Sequence, residues 1–295
     1  ADETWKPVWG EEKEIRDHHN ELLVALVQKT TGRRMNVRFR VFDEGLGFRY
    51  EFPSEEDKGV ARLVPGQQIV PQGQTQPLTH FTIVEERTRF NLPCDPLAWW
   101  IPADYETQEY RYTNSKVTEI PSLFKGAPDA NLSTTLTPVP CVQTALMLKY
   151  PSGLLVNLHE AACVDYATMH LKVDGHDFES YLTPDATGAK GWLQTPCRSP
   201  WRTVICGAKG ADILSSRLTL NLNEPCALAD TSWIHPVKYI GVWWTMITGA
   251  KNWAYKPDPT MHAANTTNVI RHLDFAAEHG FDEVLVEGWN IGFED

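Results

Sequence analysis

The sequence lacks the long apolar run that a membrane-spanning helix requires, since no segment approaches about 18 consecutive apolar residues. It is also short of basic residues: 27 Lys and Arg stand against 38 Asp and Glu, which gives a formal net charge of −11. A surface of that sign repels phosphate backbones and anionic lipid headgroups. Neither nucleic acid nor a membrane is therefore the expected partner.

Several motifs that identify catalytic or cofactor sites are missing as well. The chain has no glycine-rich phosphate-binding loop, no HExxH and no GxSxG. Its six cysteines include no CxxC pair, which argues against a structural zinc site and against a small disulfide scaffold. The ten histidines are dispersed, so a histidine-based metal centre is not indicated.

Aromatic residues, by contrast, are abundant, with 11 Trp, 11 Phe and 9 Tyr among 295 residues. Flat apolar rings with a polar edge suit the faces of sugars, although they are also ordinary core material. Several tryptophans form short clusters with polar neighbours, at Trp5/Trp9, Trp99/Trp100, Trp243/Trp244 and Trp289. The composition slightly favours a protein that binds carbohydrate. The alternative is that the aromatic residues simply pack in the core.

Residues 20–225 carry β-strand patterns almost throughout. Apolar and charged residues alternate in Asn36–Phe42 and in Phe48–Phe52, with turn residues between them, which predicts a hairpin. Leu146–Tyr150 and Leu154–His159 predict a second hairpin. Further predicted strands are Thr168–Val173, Thr203–Cys206 and Leu214–Leu222. Many short strands without intervening helices indicate a mainly β fold, a sandwich of two sheets.

The pattern changes in the last quarter of the chain. Tyr239–Trp244 is a continuous apolar run, typical of a strand covered on both faces. From 267 to 279 the apolar residues take helical spacing, with Thr266 as the predicted N-cap and Gly280 as the C-terminal glycine. Glu283–Glu287 predicts a second buried strand. Together these elements make one β-α-β unit, the building block of a parallel sheet or barrel.

A single β-α-β unit leaves two strand edges and a sheet face uncovered, so we expect this chain to be part of something larger. The predicted organisation is a β-sandwich domain over 1–226, a linker over 227–236 and the truncated start of a (β/α)8 barrel over 237–295.

Acidic residues at three places along the chain are candidates for chemistry. Glu287 follows the second strand of the β-α-β unit, where parallel α/β folds place their active sites, with a solvated loop acid as the alternative. Two residues on, Trp289 would stack on a sugar or cap the barrel end.

Asp104, Glu106 and Glu109 place three acids within six residues, enough to hold a hard cation such as calcium, or simply to form a solvated loop. Glu160 is either paired or ligating, or marks the exit of a strand. No complete catalytic pair is visible.

In chain order, a set of segments resembles glycoside hydrolase family 97: Thr4–Glu11, Phe39–Asp43, Gly47–Tyr50, Ala98–Pro102, Leu158–Ala162, Gly241–Trp244, His262–Thr266 and Leu285–Asn290. These segments extend over essentially the whole chain. The family pattern often has His-Gly-Ala-Asn where this chain has His262-Ala263-Ala264-Asn265.

The resemblance implies an enzyme of three parts: an N-terminal β-supersandwich, a catalytic (β/α)8 barrel and a small C-terminal β-domain. It implies that the opening strands of the sandwich and most of the barrel are not in this chain. The remainder would be a second chain or a missing segment. The resemblance also implies location in the bacterial periplasm, with the signal peptide outside this chain.

The activity implied is that of an exo-acting glycoside hydrolase that cleaves terminal α-glucosidic or α-galactosidic bonds of oligosaccharides. The main catalytic carboxylates would lie outside this chain, which alone would be inactive. A non-catalytic carbohydrate-binding β-domain, or an inactive fragment, is the alternative.

The resemblance further implies a calcium ion, with Glu109 as the first candidate ligand from this chain and Glu160 as the second. Glu287 resembles an active-site glutamate that contacts substrate rather than donating a proton. The full set of substrate-binding candidates is Glu287, Trp289, Asn290, Trp244 and His262.

Overall fold

The computed structural model describes residues 1–30, 32–53, 68–69, 78–79, 81–127, 135–254 and 258–288. The chain forms two units. The first consists of Ala1–Trp5 and Ile15–Cys226, and the second of Lys6–Glu14 and Ala227–Asp295. The short segment Lys6–Glu14 thus belongs with the C-terminal unit although it interrupts the first unit in sequence.

Most of the ordered elements are strands. In chain order they are β1 (Asp2–Trp5), β2 (Ile15–His18), β3 (Asn20–Val27), β4 (Arg34–Phe42), β5 (Gly45–Phe52), β6 (Gln68–Ile69), β7 (Leu78–Thr79), β8 (Phe81–Thr82), β9 (Arg89–Phe90), β10 (Leu97–Trp100), β11 (Thr113–Lys116), β12 (Cys141–Val142), β13 (Leu146–Lys149), β14 (Leu155–Ala161), β15 (Met169–Asp174), β16 (Asp177–Leu182), β17 (Trp192–Leu193), β18 (Cys197–Arg198), β19 (Trp201–Gly207), β20 (Tyr239–Gly241) and β21 (Glu283–Leu285).

The helices are short, apart from the last. They are α1 (Ile120–Leu123), α2 (Gly210–Leu214), α3 (Leu218–Leu222), α4 (Trp244–Ile247) and α5 (Thr266–His279), with 3-10 turns at Val117–Glu119, Phe124–Gly126 and Pro259–Met261. In the described ranges, no helix has both the length and the apolar character needed to cross a membrane.

Two antiparallel sheets form the sandwich of the first unit. The larger has the order β11-β10-β13-β14-β19-β5-β4-β3, with β18 also paired to β5, and the smaller has the order β12-β15-β16-β9. Buried side chains of both sheets share one core, in which Trp100 and Leu158 of the larger sheet join Met169 and Phe178 of the smaller. The predicted mainly β sandwich is confirmed.

Both predicted hairpins are present. In the first, β4 and β5 pair through seven residues, from Asn36 opposite Glu51 to Phe42 opposite Gly45. In the second, β13 pairs with β14. Alternation along a strand depends on neighbouring residues alone, which is why it predicted these pairs.

The prediction of a strand over Leu214–Leu222 is wrong, because these residues end α2 and form α3. The leucines at 218, 220 and 222 alternate as in a strand, but 218 and 222 are also four residues apart and share one helix face. Leu218 and Leu222 are fully buried against Trp201 and Ile205, whereas Leu220 is exposed. Helix α3 therefore covers the face of the larger sheet that lies opposite the smaller sheet.

In the second unit, β20 and β21 pair in parallel and α5 connects them in sequence, which confirms the β-α-β unit. The predicted strand Tyr239–Trp244 is too long, since β20 ends at Gly241 and α4 begins at Trp244. A Cβ on Gly241 would lie 2.2 Å from the indole Nε1 of Trp243, so this ring folds back over the strand end. A continuous apolar run carries no signal for such a reversal.

Helix α5 differs from its prediction by one residue at its start. Asn265, not Thr266, is the N-cap, and its side chain accepts a hydrogen bond from the amide of Asn268. At the other end Gly280 adopts the left-handed conformation (φ 69°) that was predicted for it. The following strand is shorter than predicted and ends at Leu285.

Gly47 offers a test of the packing of α3. A Cβ there would approach Cδ1 of Leu222 to 2.4 Å, and Leu222 is buried in an apolar cluster. We expect Gly47→Ala to lower the free energy of unfolding by about 1–3 kcal/mol, and by less in a Leu222→Ala background. Chemical denaturation measures both effects. Gly126→Ala, with open space around it, is the control, and equal losses from the two glycine variants would contradict this packing.

Candidate functional site

The candidate residues of the second unit follow its two parallel strands. Gly241 and Leu285 are opposite each other at the strand ends, so the segments that begin at Val242 and Val286 leave the sheet at the same edge. In parallel α/β folds this edge, at the carboxyl ends of the strands, is where ligands bind.

Trp244 presents an aromatic surface at this edge. It stacks on Trp243 with ring centroids 4.6 Å apart and an angle of 20° between the planes, and it remains 56% exposed. It lines a cavity of about 530 Å³ together with Ile240, Phe275 and the polar side chain of Asn268. An exposed ring beside hydrogen-bonding groups can stack on the apolar face of a sugar.

His262 lies in the loop between β20 and α5 and is buried. Its Nδ1 accepts a hydrogen bond from the amide of Ala264 at 3.2 Å, and its carbonyl oxygen accepts one from the side chain of Asn265 at 2.6 Å. With Nδ1 as acceptor, the neutral ring carries its proton on Nε2. The loop is also stabilised by Asn252, whose carbonyl oxygen accepts a hydrogen bond from the amide of Ala263 at 2.9 Å.

Glu287 follows β21 by two residues and is half-buried. The next residue, Gly288, has φ 67°, and a Cβ there would lie 2.3 Å from the indole of Trp253. The loop after β20 thus touches the chain beside Glu287. Trp253 was not predicted; the glycine after Glu287 was the sequence signal for a close approach of this kind.

Trp244 and His262 lie in the segment that follows β20, and Glu287 lies in the segment that follows β21. The other two predicted substrate-binding residues, Trp289 and Asn290, lie outside the described residues.

In the first unit, the acidic loop after β10 separates its carboxylates. Asp104 is buried, where Oδ1 accepts from the amides of Glu106 and Thr107 at 2.8 and 3.1 Å. Its Oδ2 accepts from the hydroxyl of Tyr110 at 2.9 Å. Burial and this contact raise the pKa of Tyr110 to about 12. Asp104 therefore shapes the loop, and the side chain of Glu109 faces solvent.

Glu160 lies in a buried ion cluster. The guanidinium of Arg202, which is fully buried, donates from Nη1 to Glu160 at 2.6 Å. The same group binds Glu86 with two hydrogen bonds, from Nε at 2.8 Å and from Nη2 at 2.6 Å. The amide of Met169 also donates to Glu160, at 3.2 Å. The sequence left Glu160 as paired, as a metal ligand or as the exit of a strand, and the structure shows that it is paired with Arg202.

Hydrogen bonds and burial act differently on the three charges of this cluster. Burial would raise the pKa of the Glu86 carboxyl, but Arg202 holds it below its usual value. For Glu160, burial outweighs the attraction of Arg202 and raises the pKa. Burial opposes the charge of Arg202, and its hydrogen bonds to Glu86 nevertheless raise its pKa. Glu86 is the principal counterion.

Within the described part of the chain, no group of three or more His, Cys, Asp or Glu side chains is placed to bind a metal. A cation at Glu109 would therefore draw its other ligands from elsewhere.

Comparison with known proteins gives a consistent result. The family model described as the N-terminal domain of glycosyl hydrolase 97 matches residues 1–225, and the glycoside hydrolase 97 model matches residues 243–295.

Individual relatives agree. The chain is 23% identical to a retaining alpha-galactosidase of Bacteroides thetaiotaomicron, over 95% of this chain and 40% of that protein. It superposes with a TM-score of 0.75 and 35% identity on a family 97 enzyme in complex with acarbose from Pseudoalteromonas sp. strain K8, covering 100% of this chain and 39% of that one. A family 97 enzyme (E480Q) from the same strain, in complex with panose, gives 36% identity and a TM-score of 0.68, with the same coverage. The chain spans about 40% of the length of these relatives.

Replacing Arg202 tests the ion cluster. Without the guanidinium, burial raises the folded-state pKa of both carboxyls above the unfolded value of about 4.3. The folded variant then binds more protons than the unfolded chain, so its stability falls as the pH rises. We expect Arg202→Met to cost about 3–5 kcal/mol at pH 7 and less at pH 5.

Denaturant unfolding at the two pH values measures this difference. The control is Arg198→Met, which removes a half-exposed ion pair with Glu224 and should have a small effect at both. Equal losses at pH 7 and pH 5 for Arg202→Met would show that the carboxylates do not depend on this cation.

Proposed function

This chain belongs to glycoside hydrolase family 97, and we propose that it is part of an exo-acting glycoside hydrolase that cleaves terminal α-glycosidic bonds of oligosaccharides. The observation that carries the proposal is the match of two successive family models over nearly all of the chain. The proposed location is the bacterial periplasm, as the family resemblance implies.

A terminal α-glucoside is the favoured substrate. The solved relatives with acarbose and panose are 35% and 36% identical to this chain, whereas the curated alpha-galactosidase is 23% identical. The greater identity supports a gluco-oligosaccharide over a galactoside. An α-galactoside is the second candidate, because the alpha-galactosidase also matches along 95% of the chain.

The second unit would contribute substrate contacts. Trp244 offers a ring face for stacking, and the Glu287 carboxylate can accept hydrogen bonds from sugar hydroxyls. His262 holds the turn that precedes α5 through hydrogen bonds with the amide of Ala264 and the side chain of Asn265. Glycoside hydrolysis requires two carboxyl groups that flank the scissile bond. We assign that pair to the part of the enzyme beyond this chain, which alone should not hydrolyse glycosides.

We also propose a calcium ion, with Glu109 as its ligand from this chain. An exposed carboxylate on a loop that Asp104 holds in shape fits a hard cation. Glu160 fits less well, because its oxygens already bind Arg202 and the amide of Met169. When bound, calcium would supply charge that polarises sugar hydroxyls or a neighbouring carboxylate.

Assays with p-nitrophenyl α-glucoside and α-galactoside test the proposed activity. The whole protein should hydrolyse the glucoside with the higher kcat/KM, and the 295-residue chain alone should hydrolyse neither. A higher kcat/KM for the α-galactoside than for the α-glucoside would show that the enzyme is an α-galactosidase. Sugar binding without hydrolysis by the whole protein would favour a carbohydrate-binding role instead.

Two glutamates, one at the start of β21 and one just after its end, provide a matched pair for the substrate contact. Glu287 follows the strand at the candidate site, and Glu283 begins the same strand at the opposite edge and is exposed. Loss of a charged hydrogen bond to substrate should lower kcat/KM of the whole enzyme about 10- to 100-fold in Glu287→Gln. Glu283→Gln should retain full activity.

The tryptophans give a second comparison: Trp244→Ala should raise KM, whereas Trp233→Ala, at a somewhat more exposed ring, should not. If the two variants of either pair changed activity by the same amount, the residues at this edge would not contact the substrate.

Calcium dependence tests Glu109. Glu109→Gln replaces a charged ligand by a weaker neutral one, so the whole enzyme should need much more calcium while its unfolding midpoint in chelator stays unchanged. Calorimetric titration with calcium and activity against free calcium measure the effect. Glu106→Gln, in the same loop, is the control. An unchanged requirement in Glu109→Gln, with a changed one in Glu160→Gln, would reverse the choice of glutamate.

A further inference from the structure

The loop over residues 104–110, which carries Glu109, is closed by a hydrogen bond between its two ends. Asp104 begins the loop, Tyr110 ends it, and both side chains are buried. The hydroxyl of Tyr110 donates to Oδ2 of Asp104 at 2.9 Å. Glu109 is exposed and directly precedes Tyr110, so its backbone lies one residue away from this closing contact.

The first end of the loop is fixed to the smaller sheet. The amide of Ala103 donates to the carbonyl oxygen of Cys141 in β12 at 2.9 Å. The ring of Tyr105 contacts that of His170 in β15, with ring centroids 5.9 Å apart. These contacts on either side of Asp104 give its carboxylate a defined place in the sandwich.

The buried side chain of Gln143 supports the middle of the loop. Its Nε2 donates to the carbonyl oxygen of Asp104 at 3.1 Å and lies 3.5 Å from the carbonyl oxygen of Thr107. Within the loop, the hydroxyl of Thr107 accepts a hydrogen bond from the amide of Glu109 at 3.3 Å. Contacts from the sandwich therefore reach the backbone of Glu109 from two sides, through Thr107 and through Tyr110.

We propose that Tyr110 is a positioning residue for the calcium ligand Glu109. Its hydroxyl, held by the buried carboxylate of Asp104, fixes the backbone beside Glu109 and keeps the exposed carboxylate in one place before the ion binds. A ligand that is ordered in advance loses less conformational freedom on binding, which increases affinity. This inference rests on the proposed calcium site and adds the residue that orders its ligand.

Tyr110→Phe tests the inference, because it removes the hydroxyl and keeps the ring. In the whole enzyme, calorimetric titration with calcium chloride should give a Kd about 3- to 10-fold higher, as expected for the loss of one hydrogen bond. The value of kcat at saturating calcium should be unchanged, since Glu109 is still present. Gln143→Met, which removes the donor to the loop carbonyls, is the second variant if Tyr110→Phe does not fold.

Tyr166→Phe is the matched control. The hydroxyl of Tyr166 donates to the buried carboxylate of Glu86 at 3.0 Å, so this variant loses the same kind of hydrogen bond elsewhere in the first unit. Both variants should lower the unfolding midpoint measured in chelator, and only Tyr110→Phe should raise the Kd for calcium.

A double variant separates positioning from a general effect on the fold. If Tyr110 acts through Glu109, Tyr110→Phe should have little further effect on the Kd in a Glu109→Gln background. Fully additive effects in the double variant, or equal losses of affinity in Tyr110→Phe and Tyr166→Phe, would overturn the inference.

The two proposals can fail separately. An unchanged Kd in Tyr110→Phe, together with a raised Kd in Glu109→Gln, would refute the positioning role and leave the calcium site in place. An unchanged Kd in Glu109→Gln would refute the calcium site itself, and the positioning role with it.

Discussion

The sandwich depends on the ion pairs that the buried guanidinium of Arg202 forms with Glu86 and Glu160. Glu160 lies directly opposite Arg202 in the register of β14 and β19, and Glu86 lies in the segment that leads into β9 of the smaller sheet. A cation without water needs anionic partners at hydrogen-bonding distance. A slip of the strand pair, or of one sheet over the other, would separate these charges. We therefore interpret the cluster as selecting one register and one alignment of the sheets.

Burial and hydrogen bonding divide the acidic residues considered for chemistry into two groups. Glu86, Glu160 and Asp104 are buried and fully engaged by donors from the protein itself. Among the candidate acids, Glu109 faces solvent and Glu287 is half-buried just after a strand end, so the carboxylates of these two are accessible. A carboxylate whose oxygens already accept hydrogen bonds from buried donors would have to give up those bonds to bind a metal. This separation is what favours Glu109 over Glu160 in the proposed calcium site.

Local sequence patterns predicted strands and helices correctly where each pattern is compatible with only one kind of secondary structure. The alternation of Asn36–Phe42 specifies a strand, and the spacing of apolar residues in α5 specifies a helix. These local patterns failed where both a strand and a helix, or strands of different length, fit the same residues. The leucines of α3 satisfy both periods, and packing against Trp201 decided for the helix. Tyr239–Trp244 is apolar throughout, and the contact of the Trp243 ring with Gly241 ended the strand early.

The sequence by itself determined the hairpins of the sandwich, the β-α-β unit and the resemblance to the family, because each of these is visible as patterns within short segments of the chain. Only the tertiary structure decided which carboxylates are available for chemistry. Glu109 and Glu160 both lie near strand ends, yet Glu160 is paired with Arg202, 42 residues away in sequence. The partner of a buried charge is set by strand register and sheet alignment, and no local spacing encodes either.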